Sequence, residues 1–568
     1  MVGHFSHFDL QRIGRWSLGY SRFLLRYANI GCAILAPSSS FPLNMMPLNR
    51  ANRVEIDPAS DPLERGLKSK PNELALASVK TQMSWRQLAE ISDRLAVQYL
   101  HLGLQPGDRV ASLMPNRPAL IIHYLACLKA GLVATPLNYR YMAPEIDHAL
   151  EVSGASLLLH HAERDEDVAA SKLGNKLSKG VVRYKADDGA GRHYEELVEA
   201  PQPTATFPTP DPDAATLIYF TSGSTGKPKG VTHTRATFFQ MIDASINGVQ
   251  FTDTDTLLPG SSLSHIAGSL LGLSMLTAGG RLLISRGSDG PEILPLLREF
   301  RPTVLWMLPA ALIALVRDHD AGSSDFASIR LCSAGGDKVS AELEREFTAA
   351  AGFPIDESYG MTEIGVSTIN PPYGENRMGS IGKLIPGYEM SLRDDSGAEV
   401  PVGTPGRLWI RSQANMIGYW ENPKATAETI VDGWLDTGDM MRVDEDGYLW
   451  FCGRKKQIIV HDGSNICPQE VEEALTEHPS IAEAGVIGIH DLVHGENVRA
   501  YVTLKEGAPP PSASELISFA RDRVGYKAPE EIAFLSEMPL NATGKLDRVK
   551  LLRMAEERLS ASSTAGPA

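Results

Sequence analysis

The chain has 568 residues, of which 43% are hydrophobic and 22% are charged, a composition typical of globular proteins rather than disordered or fibrous ones. This length exceeds what one hydrophobic core usually organises, so we expect a large domain joined to a smaller one. The 54 lysines and arginines against 69 aspartates and glutamates give a formal charge of −15, which disfavours nucleic acid as a partner.

The spacing of the cysteines and the hydropathy of the chain indicate the cellular compartment in which the protein works. The five cysteines lie far apart without CxxC spacing, which argues against a zinc site and favours a reducing environment. They are Cys32, Cys127, Cys332, Cys452 and Cys467. No apolar run approaches the roughly 20 residues that a membrane-spanning helix needs. We therefore predict a cytoplasmic protein without a transmembrane segment. A homodimer is a separate expectation that these features do not address.

Residues 1–50 are predicted to be an N-terminal extension outside the functional protein. Basic residues outnumber acidic ones there, and the apolar stretch Ala28–Ala36 follows them, which loosely suggests a targeting segment. The basic region is too long and the apolar one too short for a signal peptide of the usual form. Met45 and Met46 offer the alternative of a later start.

From residue 84 onwards, helix and strand signals alternate. Ser84 and Gln87 form a capping box, which predicts a helix that ends at Gly103. The predicted elements that follow are a strand at Arg109–Met114, a helix at Pro118–Ala130 and strands at Leu132–Leu137, Thr216–Phe220, Arg281–Ser285, Thr303–Leu308 and Ile329–Ser333. This alternation is typical of α/β proteins with parallel sheets.

After about residue 380 the pattern changes to hairpin-like strands separated by Asp/Gly turns, and a mixed region of helices and strands follows from residue 457. We therefore predict an α/β fold with two domains. Residues 51–455 would form a large multi-lobed N-terminal domain of α/β subdomains plus a β-rich lobe. Residues 456–560 would form a small α+β domain, and 561–568 a disordered tail.

The segment Tyr219–Gly230 is the most informative part of the sequence. It follows a predicted strand and combines glycines, hydroxyl side chains and two lysines, which together suit a loop whose backbone approaches phosphate. It is not a Walker A loop, because Pro228 follows Gly226-Lys227 and the glycine spacing is too short. A Ser/Gly surface turn is the structural alternative.

This loop resembles the signature of the adenylate-forming (ANL) superfamily, which holds acyl-CoA synthetases, luciferases and peptide-synthetase adenylation domains. The resemblance implies an enzyme that uses ATP and Mg²⁺, and a loop that holds the β- and γ-phosphates. The residues it would contribute are Thr221, Ser222, Gly223, Ser224, Thr225, Gly226, Lys227 and Lys229.

Two further segments match motifs of the same family. Leu331–Asp337 resembles the segment beside the adenine and contains Gly335, although alone it reads as an ordinary strand-to-helix turn. Asp356–Glu363 resembles the family's YGMTE motif. The resemblance places Asp356, Glu357, Ser358 and Tyr359 at the nucleotide, Tyr359 stacking on adenine; it places Thr362 at phosphate and Glu363, with Thr221, at Mg²⁺, a cation that prefers oxygen ligands.

The remaining motifs fall in the expected order. The resemblance assigns Asp439 to the ribose hydroxyls, Arg454 to a position near the ribose and Lys456 to the hinge between the domains. It also implies that the small C-terminal domain is mobile about this hinge. His461–Pro468 resembles the loop that lines the pantetheine tunnel, with Gly463 permitting close approach. Asn541–Lys545 resembles the C-terminal loop whose lysine bridges the carboxylate and the α-phosphate, so Lys545 is the predicted catalytic residue.

The acid and the acceptor are less well defined. Leu258–Gly268 contains no carboxylate that could hold a substrate amino group, which disfavours an amino acid. His265 resembles the gate over the acyl pocket, with a structural histidine as the alternative. The candidate pocket residues are mostly apolar and favour a fatty or aromatic monocarboxylic acid; they are Phe238, Phe239, Ile242, His265, Trp306, Met307, Gly335 and Gly360.

Few residues follow Lys545, so the sequence given holds no fused carrier domain after it, and free coenzyme A is the predicted acceptor. Three alternatives stay open. They are an acyl-AMP ligase that loads a separate carrier protein, a luciferase-like oxygenase and a catalytically dead relative.

Overall fold

The computed structural model describes residues 55–186, 191–201, 206–221, 228–336, 339, 341–370, 375–454, 457–461, 464–491, 495–541 and 545–564. Its strands are β1 (Leu74–Ser78), β2 (Thr81–Ser84), β3 (Arg109–Leu113), β4 (Val133–Pro136), β5 (Leu157–His161), β6 (Gly180–Tyr184), β7 (Ala215–Thr221), β8 (Lys229–Thr234), β9 (Thr256–Gly260), β10 (Arg281–Leu283), β11 (Val304–Met307), β12 (Leu331–Gly335), β13 (Asp356–Met361), β14 (Gly365–Ile369), β15 (Lys383–Leu384), β16 (Tyr388–Arg393), β17 (Gly406–Ser412), β18 (Gly418–Tyr419), β19 (Ile430–Val431), β20 (Trp434–Val443), β21 (Leu449–Arg454), β22 (Ile459–His461), β23 (Ser464–Ile466), β24 (Ile481–Asp491), β25 (Gly495–Leu504) and β26 (Glu531–Phe534).

The helices connect these strands along the chain. They are α1 (Glu64–Ser69), α2 (Trp85–His101), α3 (Pro118–Ala130), α4 (Ala143–Ser153), α5 (Asp165–Ala170), α6 (Tyr194–Glu199), α7 (Arg235–Val249), α8 (Ile266–Ala278), α9 (Gly290–Phe300), α10 (Pro309–Arg317), α11 (Ser323–Phe326), α12 (Ala341–Ala351), α13 (Pro423–Thr429), α14 (Pro468–Thr476), α15 (Ala513–Val524) and α16 (Arg548–Thr564). None of the helices within the ranges given above has both the length and the apolarity that crossing a membrane requires.

Two large, mostly parallel sheets form the α/β part of the N-terminal domain. The described strands of one follow the order β18-β8-β7-β4-β3-β5-β6, with β4, β3, β5 and β6 parallel. Those of the other follow the order β15-β14-β13-β12-β11-β9-β10-β1-β2, parallel from β1 to β13. The carboxyl ends of parallel strands are where ligands bind in such sheets, which positions the loops that follow β3, β9, β12 and β13.

Helices cover these sheets because their apolar side chains are buried against them. Both α3 and α8 are buried almost along their whole length, as expected for helices packed within a large core. A continuous core connects Leu120 and Tyr124 of α3 with Leu271 and Leu273 of α8.

The chain after β15 forms the β-rich lobe and then the small C-terminal domain. In the lobe, the described strands β16-β17-β20-β19 form an antiparallel sheet to which β21 is added. In the C-terminal domain, β23-β22-β25-β24 form a sheet with β26 parallel to β25. Helices α14 and α15 pack on that sheet around a core of their own. The predicted α/β class with a large and a small domain is confirmed.

Local sequence signals place most element ends correctly. The hydroxyl of Ser84 accepts a hydrogen bond from the Gln87 amide at 3.2 Å, while the Gln87 side chain accepts one from the Ser84 amide at 2.9 Å. Gly131 ends α3 in the left-handed conformation, with φ of 67°. The predicted strand at Ile329–Ser333 is shifted by two residues, since β12 begins at Leu331.

Candidate active site

The predicted phosphate loop connects the two strands of an antiparallel hairpin. Thr221, the last residue of β7, is paired with Lys229, the first residue of β8. The side chain of Lys229 lies over the ring of Tyr419, 4.5 Å from its centroid. The predicted phosphate-binding residues from Ser222 to Lys227 lie outside the described residues.

Tyr419 links this hairpin to Glu363, the predicted metal ligand. Its hydroxyl donates a hydrogen bond of 3.1 Å to Oε1 of Glu363, which is 6% exposed. Burial raises the pKa of the Glu363 carboxyl, whereas the hydrogen bond and the nearby charges of Arg454 and Lys229 act in the opposite direction. These groups therefore favour the ionised carboxylate that a Mg²⁺ ion would need.

Thr362 lies in the turn after β13, and its carbonyl accepts a hydrogen bond of 2.9 Å from Nε2 of His233. Burial lowers the pKa of His233 to about 4, so the ring is neutral near pH 7 and its Nε2 carries the donated hydrogen. The Thr362–Glu363 turn is thus fixed to β8 on the opposite sheet.

Gly335, which is predicted to lie beside the adenine, is in β12 next to strand β13. Gly335 of β12 is paired with Ser358 of β13, and a Cβ atom at Gly335 would approach the Ser358 hydroxyl to 2.7 Å. The glycine is therefore needed for the contact between the two strands. The Ser358 hydroxyl in turn lies 3.2 Å from the hydroxyl of Ser333.

Two buried carboxylic acids precede Ser358. Burial raises the pKa of Asp356 to about 7, and the charge of Glu344 acts in the same direction, although Asn376 donates a hydrogen bond of 2.9 Å to its carboxyl. Glu357 is 3% exposed, and its carbonyl accepts a hydrogen bond from the amide of Asn370. The side chains of Asp356 and Glu357, which are both predicted to bind the nucleotide, are therefore buried in the structure.

Tyr359, Asp439 and Arg454 meet where β13 faces β20 and β21. The Tyr359 hydroxyl donates a 2.7 Å hydrogen bond to Oδ2 of Asp439, and Arg454 Nε lies 3.4 Å from Oδ1. Asp439 is 5% exposed, and its buried Oδ1 accepts no hydrogen bond from the described residues. A buried oxygen without a donor suits the ribose hydroxyls of a nucleotide.

Lys545 reaches across from the C-terminal domain, where its ammonium donates a hydrogen bond to the carbonyl of Gly336. Its charge lowers the pKa of Asp439, against the larger upward effect of burial, and contributes to lowering the pKa of His265. Lys545 therefore lies near enough for its charge to act on both Asp439 and His265.

His265 is the N-cap residue of α8, and part of its surface is accessible to solvent. Loss of hydration lowers its pKa, and the charges of Lys545 and Arg140 add to this effect. The ring is therefore neutral near pH 7. Its backbone carbonyl is held by the Ser269 hydroxyl at 2.9 Å.

The predicted hinge follows β21. Gly453 has a φ of 111°, and a Cβ atom there would lie 2.6 Å from the Gln469 side chain at the start of α14. The backbone of Gly453 at the end of β21 therefore lies close to the Gln469 side chain of α14, in the C-terminal domain. The predicted hinge residue Lys456 and the predicted tunnel residue Gly463 lie outside the described residues.

Sequence reasoning missed two residues of this cleft. Tyr419 is 56 positions from Glu363, and Arg140 acts on His265 from the segment before α4. The spacing of residues along the chain does not reveal the Tyr419–Glu363 or Arg140–His265 contact. The Gly-Tyr-Trp run that begins at Gly418 is the one sequence signal that could have drawn attention to Tyr419. Of the predicted acyl-pocket residues, Trp306 is 4% exposed and the other large apolar ones are fully buried, namely Phe238, Phe239, Ile242 and Met307.

This arrangement suits transfer of a phosphoryl or nucleotidyl group. The Lys545 ammonium, whose charge acts on Asp439 and His265, can stabilise negative charge on a phosphorus centre, and the Asp439 oxygen can orient a ribose. The carboxylate of Glu363 is available for a divalent cation.

Comparisons with known proteins agree with this geometry. The "AMP-binding enzyme" family model matches residues 63–420, and the "AMP-binding enzyme C-terminal domain" model matches residues 470–545. Feruloyl-CoA synthase from Amycolatopsis sp. is 33% identical over 489 residues, which cover 85% of this chain and 96% of that protein. Fatty acid–[acyl-carrier-protein] ligase ScoC from Streptomyces coeruleorubidus is 33% identical over 479 residues, 83% of this chain and 91% of that protein.

Solved structures give the same result. ATP-bound MatB from Rhodopseudomonas palustris superimposes with a TM-score of 0.80 at 26% identity, covering 87% of this chain and 98% of that one. The order of the motifs, the two matched domain models and this shared fold all concern the same residues. The chain therefore belongs to the AMP-binding enzyme family, within the adenylate-forming superfamily that includes the acyl-CoA synthetases.

Proposed function

We propose that this chain is an acid–CoA ligase that converts a fatty or aromatic monocarboxylic acid and ATP into an acyl adenylate and pyrophosphate, and then transfers the acyl group to coenzyme A. The observation that carries the proposal is the contact between the Lys545 ammonium and the carbonyl of Gly336, which brings this lysine of the C-terminal domain to the end of β12. Feruloyl-CoA synthase, one of its relatives, supports coenzyme A as the acceptor and an aromatic acid as one substrate class.

In the first half-reaction, the substrate carboxylate attacks the α-phosphorus of ATP and pyrophosphate leaves. Lys545 neutralises the charge that builds up between the two reactants, while Asp439 holds the ribose. Thr221 and Glu363 are the proposed ligands of Mg²⁺, which supplies charge neutralisation for the leaving phosphates.

In the second half-reaction, the thiol of coenzyme A attacks the acyl carbon and AMP leaves. Lys545 is not needed for this step, since no phosphorus–oxygen bond is then being formed. We assign residues 51–455 and 456–560 to the two domains, with Lys456 as hinge and Gly463 on the face that admits the thiol. A cytoplasmic location and a homodimer stay predictions.

The test combines purified protein, ATP and Mg²⁺ with short, medium and long-chain acids and aromatic acids, with and without coenzyme A. Pyrophosphate and acyl-CoA are followed together by mass spectrometry. We expect acyl-CoA only when coenzyme A is present. Pyrophosphate and acyl-AMP without acyl-CoA would overturn coenzyme A as the acceptor and favour a carrier protein, the acceptor named for ScoC.

A further inference from the structure

The connection between β9 and α8, residues 261–265, carries His265 into the cleft. Strand β9 belongs to the nine-stranded sheet, yet the groups that hold this connection come from the β3–α3 region on the seven-stranded sheet. Its position therefore depends on contacts between two lobes as well as on the hydrogen bond from Ser269 of α8 to the His265 carbonyl.

Asn116 makes the central contact. Its Nδ2 donates a hydrogen bond of 2.8 Å to the carbonyl of Ser261, and its Oδ1 accepts one of 2.7 Å from the amide of Leu263. The side chain is 6% exposed. The side-chain amide of Asn116 therefore satisfies one backbone carbonyl and one backbone N–H of the connection at the same time. Asparagine is the one short side chain with an amide that offers a separate donor and acceptor.

Two further hydrogen bonds run between the same segments. The Tyr124 hydroxyl donates to the carbonyl of Leu263 at 2.8 Å, and the Ser264 hydroxyl donates to the carbonyl of Met114 at 3.3 Å. Tyr124 is 1% exposed and Leu263 is fully buried. Buried hydrogen bonds of this kind are costly to lose, since water cannot replace the missing partner.

We infer that Asn116 is a positioning residue for the reaction, which acts by clamping residues 261–265 to the β3–α3 connection and so fixing where His265 stands over the acid. The inference rests on the proposed function for the role of His265. Both polar atoms of the Asn116 side chain are engaged by the backbone of Ser261 and Leu263, so it acts on the reaction through the backbone from which the histidine projects.

Site-resolved deuterium exchange of the full chain tests the clamp without relying on activity. In Asn116→Ala, exchange of the Leu263 amide should rise about tenfold or more, because its acceptor is lost. In Asn116→Asp, the retained oxygen should keep most of that protection. The matched control is Asn247→Ala, which removes another buried asparagine, on α7, with a 2.8 Å hydrogen bond to the carbonyl of Asp243. This control variant should leave the exchange rate of the Leu263 amide unchanged.

Kinetics then test the positioning role. Asn116→Ala should raise KM for the acid about tenfold while KM for ATP stays near the wild-type value, and the double variant with His265→Ala should be no worse than His265→Ala alone. Additive losses, an equal rise in both KM values, or unchanged Leu263 exchange would overturn the inference. If the wild-type chain activates no acid, the proposed function fails, while the exchange experiment still decides whether the clamp exists.

Discussion

Tyr359 donates a hydrogen bond of 2.7 Å to Asp439, 80 positions further along the chain. The contact joins the strand that carries the YGMTE motif to the β-rich lobe. It occupies Oδ2, while Oδ1 of Asp439 lies 3.4 Å from Nε of Arg454 and accepts no hydrogen bond from the described residues. The aspartate is thereby oriented before any nucleotide arrives.

Replacing Tyr359 with phenylalanine removes this hydrogen bond, together with a weaker contact of the same hydroxyl to the Met361 sulfur at 4.0 Å, and keeps the ring. Hydrogen bonds to charged groups contribute about 1.5–3 kcal/mol, so we expect KM for ATP to rise by about tenfold or more. Burial raises the pKa of Asp439 and the Tyr359 hydrogen bond lowers it. Without the bond, the carboxylate takes up a proton at a higher pH, and kcat/KM for ATP falls off earlier as the solution is acidified.

The measurement is kcat/KM for ATP across a pH series in the wild type and in Tyr359→Phe. Tyr448→Phe is the control, because Tyr448 donates its hydrogen bond to the carbonyl of Glu375 at 2.6 Å, away from Asp439. An acid limb at the same pH in all three proteins would contradict the proposed coupling.

Replacing Lys545 with alanine should separate the two half-reactions. We expect pyrophosphate release from acid and ATP to fall about 100-fold or more, because a positioned positive charge is lost. Conversion of supplied acyl-AMP and coenzyme A to acyl-CoA should stay close to the wild-type rate. Lys550→Ala, an exposed lysine on α16 of the same domain, is the matched control. Equal loss of both half-reactions in Lys545→Ala would remove its assigned role.

Much of the fold follows from local signals. The capping box at Ser84 and the left-handed Gly131 are set by neighbouring residues, so short-range chemistry predicts them. The motifs also predict which strand ends carry the site, since ligand-binding groups follow the carboxyl ends of parallel strands.

The remaining features depend on contacts between distant segments. Asn116 contacts Ser261 across 145 positions, and Leu76 of β1 is paired with Leu282 of β10. Neither partner carries a pattern that points to the other, because such pairs are selected by the packing of whole sheets. Tyr419 belongs to the same class, as its short strand adds to the edge beside Val231.

Replacing Tyr419 with phenylalanine should weaken the metal site while keeping the ring beneath Lys229. Loss of the hydrogen bond to Glu363 lets burial act more strongly on that carboxyl, so its pKa rises further. We expect the Mg²⁺ concentration for half-maximal activity to rise about tenfold. The increase should be larger at lower pH, where more of the carboxyl is protonated.

A binding measurement complements the activity titration. Mn²⁺ added to the protein with ATP reports binding through its water-proton relaxation, and Tyr419→Phe should require more of the ion. Tyr388→Phe, which removes a buried hydroxyl bonded to the carbonyl of Ile364 at 2.5 Å, controls for the loss of a tyrosine hydroxyl nearby. If both variants needed the same additional Mn²⁺, the effect would belong to packing rather than to Glu363.

Asp356 should make the folded chain less stable at alkaline pH. Its folded-state pKa is about 7 against an ordinary value of 3.8, so the folded protein retains a proton that the unfolded chain has released. The resulting stabilisation is present below about pH 4 and is lost as the pH rises through 7. Each unit of pKa corresponds to about 1.4 kcal/mol, so the total is several kcal/mol. Asp356→Asn removes this titration and keeps an oxygen that accepts the Asn376 hydrogen bond.

Thermal unfolding of wild type and Asp356→Asn at acidic and alkaline pH checks this. We expect similar Tm values at the acidic end and a variant more stable by about 2 °C or more at the alkaline end, where the wild-type chain buries a charge near Glu344. The exposed Asp522, changed to Asn, should shift Tm little at either pH. A variant less stable than the wild type at alkaline pH would show that the Asp356 carboxylate is stabilised in the folded chain, contrary to its raised pKa.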